Sequence, residues 1–243
     1  MKSLLAGIVM SATLLAQSSA QAPKAAPAKP AGAASPATRT ALLHPALLKA
    51  KAPDEFQVKF TTSVGDFVVD VHRAWAPLGA DRFYNLVKNG YFTNAAFFRV
   101  IPRFVVQFGL NPSAAVNHAW HDARIQDDPV THTNKKGSIV FATSGPNTRT
   151  TQLFINYVDN PRLDGMGFAP FGEVTEGMEI VEKIFPGYTE RPDQQQITDE
   201  GDAYLTKNFP EIDRIKTARI VPPTPAAAPA KVASKPAAKP ASN

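Results

Sequence analysis

Phe97-Phe98-Arg99-Val100-Ile101-Pro102-Arg103-Phe104-Val105-Val106-Gln107-Phe108-Gly109 is the stretch on which the fold turns. Phe97 to Val100 and Phe104 to Phe108 are short strand-like runs, rich in aromatic and β-branched residues and separated by Pro102. Arg99 lies between Phe98 and Val100. A charged residue in a strand this apolar must face either solvent or a cleft.

The same texture extends in both directions. Upstream, Phe56-Gln57-Val58-Lys59-Phe60 alternates apolar and polar residues, Gly65 marks a turn, and Phe67 to Val71 resumes as a second strand. Pro77 suits the first turn of a helix, in which Ala80, Phe83, Leu86 and Val87 recur at helical spacing before Gly90 ends the pattern. Downstream, Ser138 to Ala142, Leu153 to Tyr157, Phe168 to Val174 and Ile215 to Val221 are further strands, with a second short helix over Met178 to Ile184. Asp193 to Gly201 is polar and reads as a surface loop. Many short strands with two helices and no regular βα alternation disfavour a doubly wound sheet. A closed antiparallel barrel or a sandwich fits better, and pattern alone leaves both open.

The ends of the chain differ in kind. Lys2, the apolar run Leu4 to Ala16 and the small residues Ser18-Ser19-Ala20 form a secretory signal pattern over residues 1–20, with cleavage expected before Gln21. The run is too short to cross a hydrocarbon core of about 30 Å, so stable membrane insertion after cleavage is not expected. Residues 21–53 and 222–243 are rich in Ala, Pro and Lys and read as disordered arms flanking one domain over 54–221. Nine Lys/Arg and no Asp or Glu lie outside Asp54–Val221, so the domain keeps 17 of the 26 basic residues against all 21 acidic ones. The basic character therefore belongs to the arms, and a nucleic-acid-binding core is disfavoured. The absence of cysteine excludes disulfides, thiol catalysis and cysteine zinc sites. His118, His121 and Asp122, with Asp127 and Asp128 nearby, match no known zinc spacing, and no metal is expected.

Beyond the opening stretch, the informative blocks are Phe141-Ala142-Thr143-Ser144-Gly145-Pro146-Asn147-Thr148, Thr151-Gln152-Leu153-Phe154-Ile155-Asn156, Leu163-Asp164-Gly165 and Phe171-Gly172-Glu173-Val174. In this order and at these spacings they resemble the signature of the cyclophilins, over everything except the signal and arms. The resemblance implies a mainly β domain, a closed eight-stranded antiparallel barrel capped by two α-helices. It implies a monomeric, cofactor-free peptidyl-prolyl cis/trans isomerase acting on proline-containing polypeptides, here in the periplasm or cell envelope. A proline-peptide-binding chaperone or adaptor of the same fold, with negligible turnover, is the alternative. Carried over by position, Arg99 matches the catalytic arginine and Gln107 the residue that holds it. Phe104, Val105, Phe154 and Leu163 match the proline pocket, and Ala142, Thr143 and Gln152 the stretch that binds substrate backbone. Three departures stand out. Arg162 replaces a rim Trp common in the family, Thr143 stands where Asn is common, and no histidine is available for the rim near Gly167-Phe168.

The chemistry suits those residue types. Rotating an Xaa-Pro bond meets a barrier of about 18–20 kcal/mol from amide resonance, and no bond to carbon or hydrogen breaks. The reaction needs no nucleophile or general base. It needs a donor that localises the prolyl nitrogen lone pair, which a permanently charged guanidinium provides, and an apolar pocket to grip the ring.

Overall fold

The computed structural model describes residues 40–222. The expected signal, most of the N-terminal arm and nearly all of the C-terminal tail lie outside the described residues. The chain runs β1 (Glu55–Thr62), β2 (Asp66–His72), α1 (Pro77–Lys88), β3 (Ala95–Ala96), β4 (Arg99–Ile101), β5 (Val105–Phe108) and α2 (Ala114–Trp120). It continues through β6 (Ser138–Phe141), β7 (Leu153–Asn156), a 3-10 turn (Pro161–Met166), β8 (Pro170–Glu176), α3 (Met178–Val181), α4 (Gln194–Glu200), α5 (Asp202–Asn208) and β9 (Arg214–Val221).

All nine strands join one antiparallel sheet in the order β3-β9-β1-β2-β8-β6-β7-β5-β4. Its edge strands, β3 and β4, are consecutive in the chain and joined only by Phe97-Phe98. The sheet must therefore curl until its edges lie side by side. It does not close: the expected eight-stranded closed barrel is instead a nine-stranded curled half-barrel. The groups that would complete a ladder are spent elsewhere. Phe97 N–H donates to Asp213 O at 3.0 Å, and Val100 N–H donates to Thr189 O at 3.0 Å, so a loop rather than a strand covers the outer edge of β4.

Phe97 and Phe98 point to opposite sides of this junction. Phe97 enters the main core, where Phe60, Phe67, Phe83, Phe92 and Phe108 pack against one another. Phe98 enters a second cluster with Leu110, Ile197, Tyr204, Leu205 and Phe209. That second cluster explains α4 and α5. The stretch read as a polar surface loop is helical because Asp193 caps it, its side chain accepting from Gln196 N–H at 2.9 Å, while Ile197 anchors the inner face. His118 lies on α2, and among the described residues no three His, Asp or Glu converge to hold a metal.

Ordered packing also begins upstream of Asp54, within the segment expected to be a disordered arm. Leu42 is 4% exposed and belongs to the main core, and its carbonyl accepts from Trp120 Nε1 at 2.8 Å. Ala50 exchanges two hydrogen bonds with the Asn85 side chain, and Ala52 N–H donates to Asp81 Oδ1 at 2.8 Å. Asp81 also accepts a two-pronged bond from Arg73. Burial alone would raise the Asp81 carboxyl, but these donors outweigh it and hold the group below its ordinary value of 3.8. A lowered folded pKa stabilises above the unfolded value, so the tie is complete above about pH 4 and fades as pH falls through the depressed value. Leu42→Ala is expected to cost about 2 kcal/mol, the low end for a buried leucine because a terminal strap can relax into the gap. Denaturant melts of both proteins measure this, and an unchanged midpoint would show that the strap contributes nothing.

Candidate active site

The antiparallel register sets Arg99 of β4 directly opposite Gln107 of β5. The two side chains meet, with Arg99 Nη1 donating to Gln107 Oε1 at 3.4 Å. Gln107 Nε2 then donates to Gln152 Oε1 at 2.8 Å, so a three-residue polar chain runs beneath the site. Gly109 allows this closeness. Its φ is +112°, and a Cβ there would meet Thr151 O at 2.3 Å, so only glycine lets β5 lie against the 151–152 segment.

Around Arg99 opens a cleft of about 270 Å³ lined by Phe104, Val105, Gln107, Ala142, Thr143, Phe154, Arg162, Leu163, Met166 and Phe168. Its floor is a separate hydrophobic cluster of Val105, Val140, Phe154 and Leu163, with Phe104, Ala142 and Phe168 packed against it. The structure thus gathers eight of the nine residues expected at the site into one cleft wall. The ninth, Gln152, reaches it through Gln107. Thr143 has its hydroxyl occupied within its own loop, bonded to Gly145 O and to Thr148 Oγ1. Where the family's rim histidine is missing, Phe168 fills the wall and packs edge-on to Phe154 at 5.6 Å.

Sequence reasoning missed Glu190. Arg99 Nε and Nη2 both approach Glu190 Oε1, at 2.7 and 2.6 Å. The Arg99 side chain is 25% exposed and that of Glu190 59%. Its only signal in the sequence is one charge in the run Thr189-Glu190-Arg191-Pro192, which looks like any solvated loop. A guanidinium carries five N–H donors. Glu190 and Gln107 between them occupy three, leaving one N–H on each terminal nitrogen for a ligand. The Arg99 and Arg162 guanidinium carbons lie 6.0 and 5.3 Å from the Phe104 ring centroid.

A larger cleft of about 760 Å³ opens near β4, lined by Val100, Pro102, Arg103, Tyr157, Val158, Ile184 and others. Its lining mixes apolar side chains with Arg103, Asp159 and a Lys136–Glu182 ion pair. It does not include Arg99, Gln107 or any other residue expected at the site, all of which lie at or next to the smaller cleft.

Comparison with known proteins identifies the family. Residues 57–201 match the family model described as cyclophilin type peptidyl-prolyl cis-trans isomerase/CLD. A peptidyl-prolyl cis-trans isomerase-like 1 from Emericella nidulans is 36% identical over 133 residues, which is 52% of this chain and 80% of that protein. A peptidyl-prolyl cis-trans isomerase from Acinetobacter baylyi is 32% identical over 143 residues, 57% of this chain and 76% of that one. The crystal structure of a cyclophilin type isomerase from Cryptosporidium parvum covers 70% of this chain and 99% of its own, with a TM-score of 0.52 and 20% identity, a likeness of fold alone. With the family model matched over more than half of its length and the fold in agreement, the chain belongs to the cyclophilin-type peptidyl-prolyl cis-trans isomerases.

Proposed function

We propose that Arg99 and the apolar cleft beside it turn Xaa-Pro bonds in exported polypeptides. The observation that carries this is the placement of a guanidinium with two uncommitted N–H donors at the mouth of a pocket floored by Phe154, Val105 and Leu163. The proline ring seats on that floor, where nothing demands a hydrogen bond from it. Arg99 donates toward the prolyl nitrogen, drawing its lone pair out of amide resonance and favouring the twisted bond. Gln107, 8% exposed and bonded to Gln152, limits the guanidinium's swing so that little reorganisation is needed as the amide twists. The acyl side then rotates while the ring is held. No proton moves and no cofactor is called for.

Catalysis is tested by exchange NMR or a protease-coupled assay on short Xaa-Pro peptides. Acceleration above the uncatalysed rate is expected, and tight binding without acceleration would instead identify a peptide-binding adaptor. Export is supported by the N-terminal pattern of Lys2, the apolar Leu4 to Ala16 run and Ser18-Ser19-Ala20. Among the described residues, no helix is long and apolar enough to cross a membrane. Mass spectrometry of the protein recovered from the cell envelope is expected to show Gln21 as the first residue. Recovery with Met1 intact would overturn the export reading.

A further inference from the structure

We propose that Arg162 selects substrates by charge, favouring polypeptides with an aspartate or glutamate adjacent to the proline. This rests on the reading of the cleft as the proline site. Among the described residues, the only charged ones lining the cleft are Arg99 and Arg162, both near Phe104. Their situations differ. Arg99 is already neutralised by Glu190, at 2.6 Å, and tied to Gln107. Arg162 has no carboxylate in ion-pair contact among the described residues. The nearest candidate in the chain, Asp164, is turned away, its Oδ1 accepting from Asn134 N–H at 2.8 Å and Asn134 Nδ2 at 2.7 Å. The mouth therefore carries two guanidinium charges against one carboxylate, a net of one positive charge centred on Arg162.

That charge is exposed to solvent yet restrained at two points. Arg162 stands on the 3-10 turn Pro161–Met166, whose Leu163 is buried in the cleft floor. Its guanidinium is further drawn to the Phe104 ring at 5.3 Å. A planar, prepositioned fork matches a carboxylate at two points and repels an ammonium. A chain whose proline occupies the floor must carry its neighbouring residues past this fork. The protein's own sequence fits the same logic. Its arms contain Lys29-Pro30, Lys235-Pro236 and Lys239-Pro240 but no Asp or Glu, so three of the Xaa-Pro bonds tethered to the enzyme carry the disfavoured charge and none carries the favoured one.

The test uses the full chain and two peptide sets, acetyl-Ala-Xaa-Pro-Ala and acetyl-Ala-Ala-Pro-Xaa, with Xaa either Glu or Lys. Exchange NMR gives kcat/KM, and shift titration of the same samples gives Kd. In at least one set the Glu peptide is expected to be favoured about two- to fivefold at low salt, the scale of exposed charge pairs. At 1 M salt, where screening acts within about 3 Å, the ratio is expected to fall toward one. Arg162→Met is expected to abolish the preference and Arg162→Glu to invert it. Equal handling of Glu and Lys peptides in both sets, or a preference that survives Arg162→Met, would overturn the proposal. If no peptide is accelerated but the Kd ratio persists and follows Arg162, charge selection stands and the isomerase reading falls.

Discussion

Replacing Arg99 with alanine is expected to lower kcat/KM for Xaa-Pro peptides by about 10²–10³, with the melting temperature within a few degrees of the parent. The rate loss follows from removing a preorganised charged donor aimed at the group whose electrons reorganise, which typically costs about 3–4 kcal/mol of transition-state stabilisation. The small stability change follows from the geometry. Arg99's ionic partner, Glu190, is 59% exposed and regains water when released, and pairs of that kind are worth about 0.2–1 kcal/mol. Gln107 keeps its bond to Gln152. Arg99→Lys is expected to recover only part of the rate, because an ammonium carries charge without the planar fork that engages Gln107 and Glu190 together. Turnover of Arg99→Ala close to the parent's would refute this mechanism and leave the pocket alone as the source of catalysis.

The largest stability effect is expected at Asp128. α1 begins at Pro77, and the residue before it, Ala76, has no side-chain oxygen to cap the helix. Asp128 does so from 50 positions away, its Oδ1 accepting from Leu78 N–H at 3.0 Å and its Oδ2 from Gly79 N–H at 2.8 Å. The same Oδ2 accepts from Arg149 Nη1 at 3.1 Å, and the two side chains are only 2% and 4% exposed. Asp128→Ala would leave a buried guanidinium with Asp127 and the Gln126 carbonyl, and two helix N–H groups without a partner. Breaking a buried pair in this way costs about 3–5 kcal/mol. For a domain of this size that corresponds to a fall in melting temperature of roughly 6–20 °C, read by calorimetry. A loss below about 1 kcal/mol would show that Asp127 takes over the guanidinium and that the cap matters little.

What the sequence determined by itself was local in origin. Alternation over Phe56 to Phe60 marked β1, Pro77 and Gly90 bracketed α1, and the Phe97–Gly109 block held Arg99 and Gln107 within a few residues of each other. A short antiparallel pairing turns that nearness in sequence into contact in space, which is why the polar heart of the cleft was readable in one dimension. The pocket floor was readable through the family signature rather than through physics, since Phe154 and Leu163 alone resemble any core residues. Tertiary structure decided the rest. Whether the sheet closes depended on where the Phe97 and Val100 N–H groups found acceptors, Asp213 and Thr189, both far along the chain. Leu42 looked like part of a coreless arm until α2 supplied Trp120 to bond its carbonyl. The carboxylates make the point most sharply. In the sequence Asp128, Asp164 and Glu190 are equivalent charges in polar stretches, yet one is a buried helix cap, one a loop clasp and one the counter-ion of Arg99. Periodicity and turn residues record the physics of near neighbours, whereas the partner of a charge is fixed only when distant segments come within a few ångströms and water is excluded between them.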